Sequence, residues 1–309
     1  FLQGDLARRR DRLGAAGSRC RRLIFGTQKT FAEVEMTLVT FIIPVRHQDN
    51  ARDWSRLKAN LAQTVRSISS QTNDDWRGII VANEGADLPN LPERFSVERV
   101  TFPPNDAHER GGASKEDFYD AFRVDKGRRV LKGMLRARDS RFFMIVDDDD
   151  FVSARLVQHV SENRNANGWT IDRGYVWDDG GKLLLGYDDF NHLCGTSLII
   201  RSDLYGLPDR YGDASPDWMK SMLGSHIRIA DILAERGTPL ATLPFRGAVY
   251  RVAHAGSHSR TPGIMAKYFL NWGALKRPRR LLRNASRLRL VGEAAKREFF
   301  GKTAVRRDT

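Results

Sequence analysis

The stretch Phe142-Phe143-Met144-Ile145-Val146-Asp147-Asp148-Asp149-Asp150-Phe151 constrains this chain more than any other. Five apolar residues run directly into four carboxylates. A short, continuous apolar run bounded by charge is the mark of a strand buried on both faces, as in a parallel sheet. The carboxylates then stand at the strand's C-terminal end, the edge of an open α/β sheet where ligands bind. Four adjacent carboxylates repel one another, so the segment gains from a cation or from buried donors nearby. Clustered hard oxygen ligands suit magnesium, manganese or calcium. A solvated acidic turn after a strand would read the same from these ten residues, so the rest of the chain decides.

The segments before the acidic run alternate strand and helix. Leu38 to Val45 reads as a strand buried on both faces and closed by Pro44-Val45. Trp54, Leu57, Leu61, Val65 and Ile68 recur at helical spacing, and Trp76 to Ala82 is a second strand. A β-α-β unit of this kind implies parallel strands and a right-handed crossover. Val97 to Phe102 is a third strand. Ser114, with Asp117 three residues on, caps a second helix whose apolar face carries Val130, Leu131, Met134 and Leu135. After the acidic run the pattern changes. A hairpin is expected from Tyr175-Val176-Trp177 and Leu183-Leu184-Leu185 about Gly180-Gly181, then a strand over 195–200. A helix containing Ile227 to Ala234 and ended by Gly237 follows, and then a late strand over 249–252.

Charge divides the chain further. Residues 1–36 carry 8 basic and 4 acidic side chains, residues 37–263 carry 30 and 31, and residues 264–309 carry 13 and 3. The net charge of +13 therefore belongs to the two ends, and the body is near neutral. Three parts are expected: a basic N-terminal extension (1–36), a near-neutral body (37–263, dividing near residue 150) and a basic amphipathic tail (264–309). Helix over residues 6–25 is weakened by Gly14 and Gly17, and Met36 is a candidate start. Cys20 and Cys194 are distant and in unlike contexts, which suits a reducing, cytoplasmic setting and neither a disulfide framework nor a zinc site. No apolar run approaches the length of a membrane span, and the first residues lack the apolar centre of a secretory signal. Apolar Met265 to Trp272, followed by arginines interleaved with Leu281, Leu282, Leu288 and Leu290, is expected to lie on an anionic membrane surface.

With these elements in place the chain resembles a GT-A glycosyltransferase of the family-two type, as found in bacterial glycan biosynthesis, over about Thr37 to Arg260. Four features carry the likeness in order: Phe41-Ile42-Ile43-Pro44-Val45, Asp125-Lys126-Gly127, Ile145-Val146-Asp147-Asp148-Asp149-Asp150, and Tyr250-Arg251-x-x-His254-x-x-Ser257-x-Ser259. The resemblance implies an α/β fold with a GT-A-like nucleotide half and a mixed central sheet, plus a basic helical C-terminal extension. It implies inverting, metal-dependent hexosyl transfer from a nucleoside diphosphate sugar, UDP-linked by expectation, to a glycan or lipid-linked acceptor. Manganese or magnesium would be held by Asp149, Asp147 and His254. Pro44, Val45, Arg46, Asn83, Glu84, Lys126, Arg129, Asp147 and Asp148 would meet the nucleotide. Trp177, Asp178, Asp179 and the stretch His192-Leu193-Cys194-Gly195-Thr196 would meet the acceptor, with core as the alternative for Trp177; Asp150 would serve the sugar or the metal, or else cap the following turn.

One departure from the family stands out. Many members open the last helix of the body with an acidic pair whose Asp deprotonates the acceptor; this chain has Ser225-His226 there. His226, or else Asp213, Asp217 or Asp231, is then the base. Two other classes compete. A nucleotidyltransferase would need a Gly-rich, Lys-bearing loop after the first strand, where Pro44-Val45-Arg46 stands instead. A non-enzymatic membrane- or nucleic-acid-binding protein would rest on the basic ends, and the neutral body disfavours nucleic acid as the main ligand.

Overall fold

β1 (Thr37–Pro44) lies at the centre because nearly every side chain on it is apolar and buried. Val39, Phe41 and Ile43 face one layer and Ile42 the other. α1 (Trp54–Ile68) follows, its start capped by Asp53, whose carboxylate accepts from the Arg56 N–H at 2.9 Å. The crossover returns to β2 (Trp76–Asn83), parallel to β1, and β3 (Phe95–Val100) pairs parallel with β2. β3 begins two residues earlier than the hydrophobic pattern suggests. Phe95 sits opposite Gly78, and a Cβ on Gly78 would come within 2.3 Å of the Phe95 ring. The glycine makes that pairing sterically open.

α2 (Lys115–Arg136) leads into β4 (Ser140–Ile145), which pairs parallel with β1 on the side away from β2. β5 (Phe151–Val152) and α3 (Leu156–Glu162) follow the acidic run. β6 (Gly168–Thr170), the hairpin β7 (Arg173–Asp178) and β8 (Leu183–Asp188), α4 (Phe190–Leu193) and β9 (Leu198–Arg201) come next. The expected strand over 195–200 starts only at Leu198, because Thr196 and Ser197 turn their groups to other work: the Thr196 hydroxyl accepts from the Asp147 N–H and the Ser197 carbonyl from the Ile171 N–H. α5 (Pro216–Trp218) continues into a π-helical turn, Met219–Leu223, before α6 (His226–Glu235), β10 (Ala241–Thr242) and β11 (Ala248–Val252).

The result is a mixed α/β architecture with mixed sheets. The main sheet has the order β10-β6-β9-β4-β1-β2-β3, with β9 antiparallel to both its neighbours. α1 and α3 cover one face and α2 and α6 the other. In a second sheet β11 pairs with β5 and β7, β7 with β8, and β8 with a last strand, β12 (Leu288–Leu290). The residues after the body are not helix alone. α7 (Ile264–Tyr268), α8 (Trp272–Leu275) and α9 (Pro278–Ser286) lead to β12 (Leu288–Leu290), which adds to β8, and then to α10 (Glu293–Phe299).

This computed structural model describes residues 36–105, 115–253 and 263–301, which belong to a compact unit spanning Glu35–Thr309. The expectations for residues 1–35, for the Ser114 cap and for His254 lie outside the described residues.

Candidate functional site

β1 and β4 are neighbouring parallel strands, so both end on one edge of the sheet. Pro44 and Arg46 follow from β1, and Asp147 to Asp150 from β4. α2 crosses above that edge. Its residues Phe118, Phe122, Asp125, Lys126 and Arg129 recur at helical spacing and line the same cleft as Asp147, Asp148 and Asp149. Leu193, Gly195 and Tyr250 complete the wall, and the cleft encloses about 280 Å³.

The four carboxylates have different surroundings. Asp147 receives the Lys126 ammonium, with Nζ 2.5 Å from Oδ1. Burial opposes the Lys126 charge, but Asp147 outweighs it and holds the ammonium above its ordinary pKa. Gly195 is needed here: a Cβ on it would stand 2.7 Å from Asp147 Oδ2 and 2.9 Å from Lys126 Nζ. Asp148 is largely buried, 3.9 Å from Arg46 Nη2. Asp149 lines both the main cleft and a small hollow beside it formed with Arg46, Asp53 and Asn60.

Asp150 is wholly buried. The Thr196 hydroxyl donates to its Oδ2 at 2.7 Å, the Cys194 thiol donates at 3.0 Å, and the Arg251 N–H donates to Oδ1 at 3.3 Å. Burial, then the Asp149 and Asp147 charges, push its pKa well up. These bonds make Asp150 a brace of the turn, the last of its three expected roles, rather than a group facing the sugar or the metal. The turn is also pinned by Thr64, whose hydroxyl donates to the Asp150 carbonyl at 2.8 Å.

Of the residues expected at the nucleotide, Pro44, Arg46, Lys126, Arg129, Asp147 and Asp148 line the cleft. Val45 does not: it is fully buried in the core beneath. Asn83 is buried, its Oδ1 accepting from Arg129 Nη1 at 2.7 Å and its Nδ2 donating to the Phe102 carbonyl at 2.6 Å. Its amide therefore orients Arg129 and has no cleft-facing role of its own. Glu84 is exposed beyond the strand end and does not line the cleft. Arg129 is 1% exposed; its Nε donates to Asp125 at 3.0 Å, and its Nη2 is buried without a hydrogen-bond partner among the described residues. Burial lowers its pKa.

His226 opens α6 and lines a small hollow with Lys126, Gly195 and Ile145, directly behind the cleft wall. Its Nε2 is buried without a hydrogen-bond partner among the described residues. Burial first, then the Lys126 charge, lower its pKa to about 4, so the ring is neutral at neutral pH. The carboxylate alternatives stand elsewhere. Asp217 is exposed and paired with Lys220 at 3.0 Å, Asp213 accepts from the Arg210 N–H at 3.1 Å on an exposed turn, and Asp231 is exposed on α6. None of the three lines the cleft, and none shares the hollow in which His226 meets Lys126 and Gly195, two residues of the cleft wall.

The acceptor expectations need most correction. Trp177 is core: it packs edge-on against Phe151 (5.6 Å) and Phe300 (5.1 Å), and its Nε1 donates to the Gly181 carbonyl at 2.8 Å. Asp178 caps α7 by accepting from the Ile264 N–H at 2.8 Å. Asp179 is paired with Arg56 and, at 3.7 Å, with Arg251. His192 is exposed and bonded to Asp189 at 2.7 Å, close enough for its charge to act on His226. Leu193 and Gly195 of the stretch 192–196 do line the cleft; Tyr250 lines it without any such expectation, as do the α2 aromatics Phe118, Tyr119 and Phe122. Their helical spacing in α2 was the available signal.

Asp147, Asp148 and Asp149 offer the hard oxygen donors that suit magnesium or manganese. Among the described residues no group of three carboxylate, imidazole or thiol side chains is placed to hold a metal. The third expected ligand, His254, lies outside those residues.

No protein-family profile and no curated protein sequence matches the chain. Solved structures give a distant likeness. Staphylococcus aureus TarS, residues 1–349, is 11% identical with a TM-score of 0.38, the match covering 69% of this chain and 60% of that one. Rv0371C of Mycobacterium tuberculosis H37Rv, in complex with manganese, is 10% identical with a TM-score of 0.30, covering 70% and 91%. The chain thus spans about 60% of the length of the TarS structure. Likeness at this level says nothing of substrate or mechanism.

Proposed function

We propose that the chain is a glycosyltransferase that moves a hexosyl group from a UDP-linked sugar to a glycan or lipid-linked acceptor with inversion. The observation that carries this reading is one cleft at the ends of β1 and β4 in which a carboxylate wall faces two cations, the partly buried Lys126 and the buried Arg129. A nucleoside diphosphate sugar combines an apolar ring, hydrogen-bonding carbonyls and two phosphates, and the cleft has a counterpart for each. Pro44 and the α2 aromatics would flank the base. Arg129 Nη2 would donate to a base or ribose oxygen, and Lys126 would meet the diphosphate.

Asp149 and Asp147, with His254, would hold a divalent cation, which supplies charge neutralisation to the departing diphosphate. The acceptor oxygen attacks the anomeric carbon, the bond from that carbon to the diphosphate oxygen breaks, and the acceptor proton passes to His226 Nε2. A base with a pKa near 4 is weak at rest. The Lys126 charge is a named cause of that depression, so a diphosphate bound at Lys126 would offset it and raise the basicity of His226 when substrate is present.

The test is a screen of sugar nucleotides that reads release of the nucleoside diphosphate, with manganese and with chelator. Release from a UDP-sugar in manganese, lost in chelator, is expected. No release from any sugar nucleotide, with acceptor mixtures present, would overturn the reading.

A further inference from the structure

The described residues expose eight large apolar side chains, and five of them lie between residues 265 and 290: Met265, Leu270, Trp272, Leu282 and Leu290. Leu270, Trp272, Leu282 and Leu290 are each more than two-thirds exposed. The same segment carries Lys276, Arg277, Arg279, Arg280 and Arg283, all exposed, and their side chains make no hydrogen bond or ion pair among the described residues. An unsatisfied basic cluster interleaved with large exposed apolar groups is unusual on a soluble face.

The segment is nevertheless held in place. α9 turns Asn284 inward, where its Nδ2 donates to the Tyr268 carbonyl at 3.0 Å. Arg287 is paired with Asp188, and β12 is hydrogen-bonded to β8. On a helix, Arg279, Leu282, Arg283 and Ser286 share one face, spaced three and four residues apart. Asn284 lies on the opposite face, so the face carrying both leucine and arginine points away from the body. Extended polyanions such as nucleic acid need the arginines but not Leu282, Trp272 or Leu290. An anionic lipid surface accepts both, the headgroups meeting the cations and the acyl boundary the apolar groups.

We infer that residues 265–290 form a docking surface for an anionic lipid bilayer. The site of contact has a physical link to the cleft. Ile264 and Tyr268 pack in a cluster with Val176, Leu185 and Val252, against which Leu193 and Tyr250 also pack. Leu193 and Tyr250 line the cleft. A bilayer under α9 is therefore joined to the acceptor side of the cleft by one continuous packed cluster.

The test uses the full chain and vesicles, without sugar nucleotide, so it stands or falls separately from the proposed catalysis. The protein is sedimented with phosphatidylcholine vesicles and with phosphatidylcholine–phosphatidylglycerol vesicles, at low and high salt. Binding to the mixed vesicles, weakened by salt, is expected. Arg279→Glu with Arg283→Glu should lower partitioning about 25-fold or more, from about fivefold per cation at an anionic surface. Trp272→Ser with Leu282→Ser keeps every charge and should still lower it about tenfold, from the apolar area withdrawn. All four positions are exposed, so the melting temperature should stay that of the parent. The inference is overturned if the parent chain does not sediment with anionic vesicles. It is equally overturned if the apolar variant binds them as the parent does, or if only a mixed-sequence oligonucleotide is retained.

Discussion

Replacing Arg251 with Met tests how the acidic turn is held. Arg251 is fully buried beneath the carboxylates. Its guanidinium donates to Asn60 and, at 3.1 Å, to Gln63; it stands 3.7 Å from Asp179 and over the rings of Phe151 (4.6 Å) and Trp177 (5.5 Å). Burial lowers its pKa to about 10, which leaves it charged at neutral pH. Methionine fills a similar volume but strips the oxygens of Asn60 and Gln63 of their donor and leaves Asp148, Asp149 and Asp150 without their central cation. Breaking one side of a buried ion pair costs about 3–5 kcal/mol. For a body of this size each kcal/mol moves the melting temperature by about 2–4 °C, so a fall of roughly 6–20 °C is expected. Thermal unfolding followed by circular dichroism at neutral pH measures it. A fall of less than about 2 °C, below the shift expected for a single kcal/mol, would refute the claim that Arg251 supports the turn.

Gly195→Ala drives a methyl into the Lys126–Asp147 pair and should lower the rate of sugar release at least about tenfold, while the melting temperature falls little; an unchanged rate would show that the pair has room to move. His226→Gln should lower turnover by about two orders of magnitude or more yet leave nucleotide binding intact, as expected of a general base. The same variant has a stability signature. Because the folded pKa of His226 is about 4 and the unfolded one ordinary, the unfolded chain binds more protons between them, and stability is lost as pH falls from about 6.5 towards 4. That loss should shrink in His226→Gln; an identical melting-temperature profile from pH 7 to pH 4 would remove the case for a buried, unpartnered imidazole.

The parallel half of the fold could be read from the chain because each element there is buried on both sides or strictly periodic. Phe41 to Ile43 and Phe142 to Met144 have no polar interruption, and the α1 hydrophobic residues keep their spacing over 15 residues. The acidic run was visible as charge, but the fate of each carboxylate was not. Asp150 differs from Asp149 only in that the chain turns into β5 at that point and swings its side chain under Cys194 and Thr196, 44 and 46 residues away in sequence. Which of its two expected places Trp177 takes is hidden for the same kind of reason. An aromatic beside two aspartates looks like a sugar platform until Phe299 and Phe300 are seen to fold back over its sheet. Phe118 and Phe122 do not stand out because α2 is polar overall, and two phenylalanines four positions apart mean little until the helix is laid across a strand edge.

Titrating UDP into the full chain by calorimetry, with manganese and with chelator, tests the central claim that the cleft between α2 and the ends of β1 and β4 binds a nucleoside diphosphate. Saturable heat with manganese is predicted, weakened about tenfold or more both by chelator and by Lys126→Met, the loss expected for one charge-assisted contact to phosphate. No heat with UDP or any other nucleoside diphosphate, or binding by Lys126→Met as tight as the parent's, would contradict it.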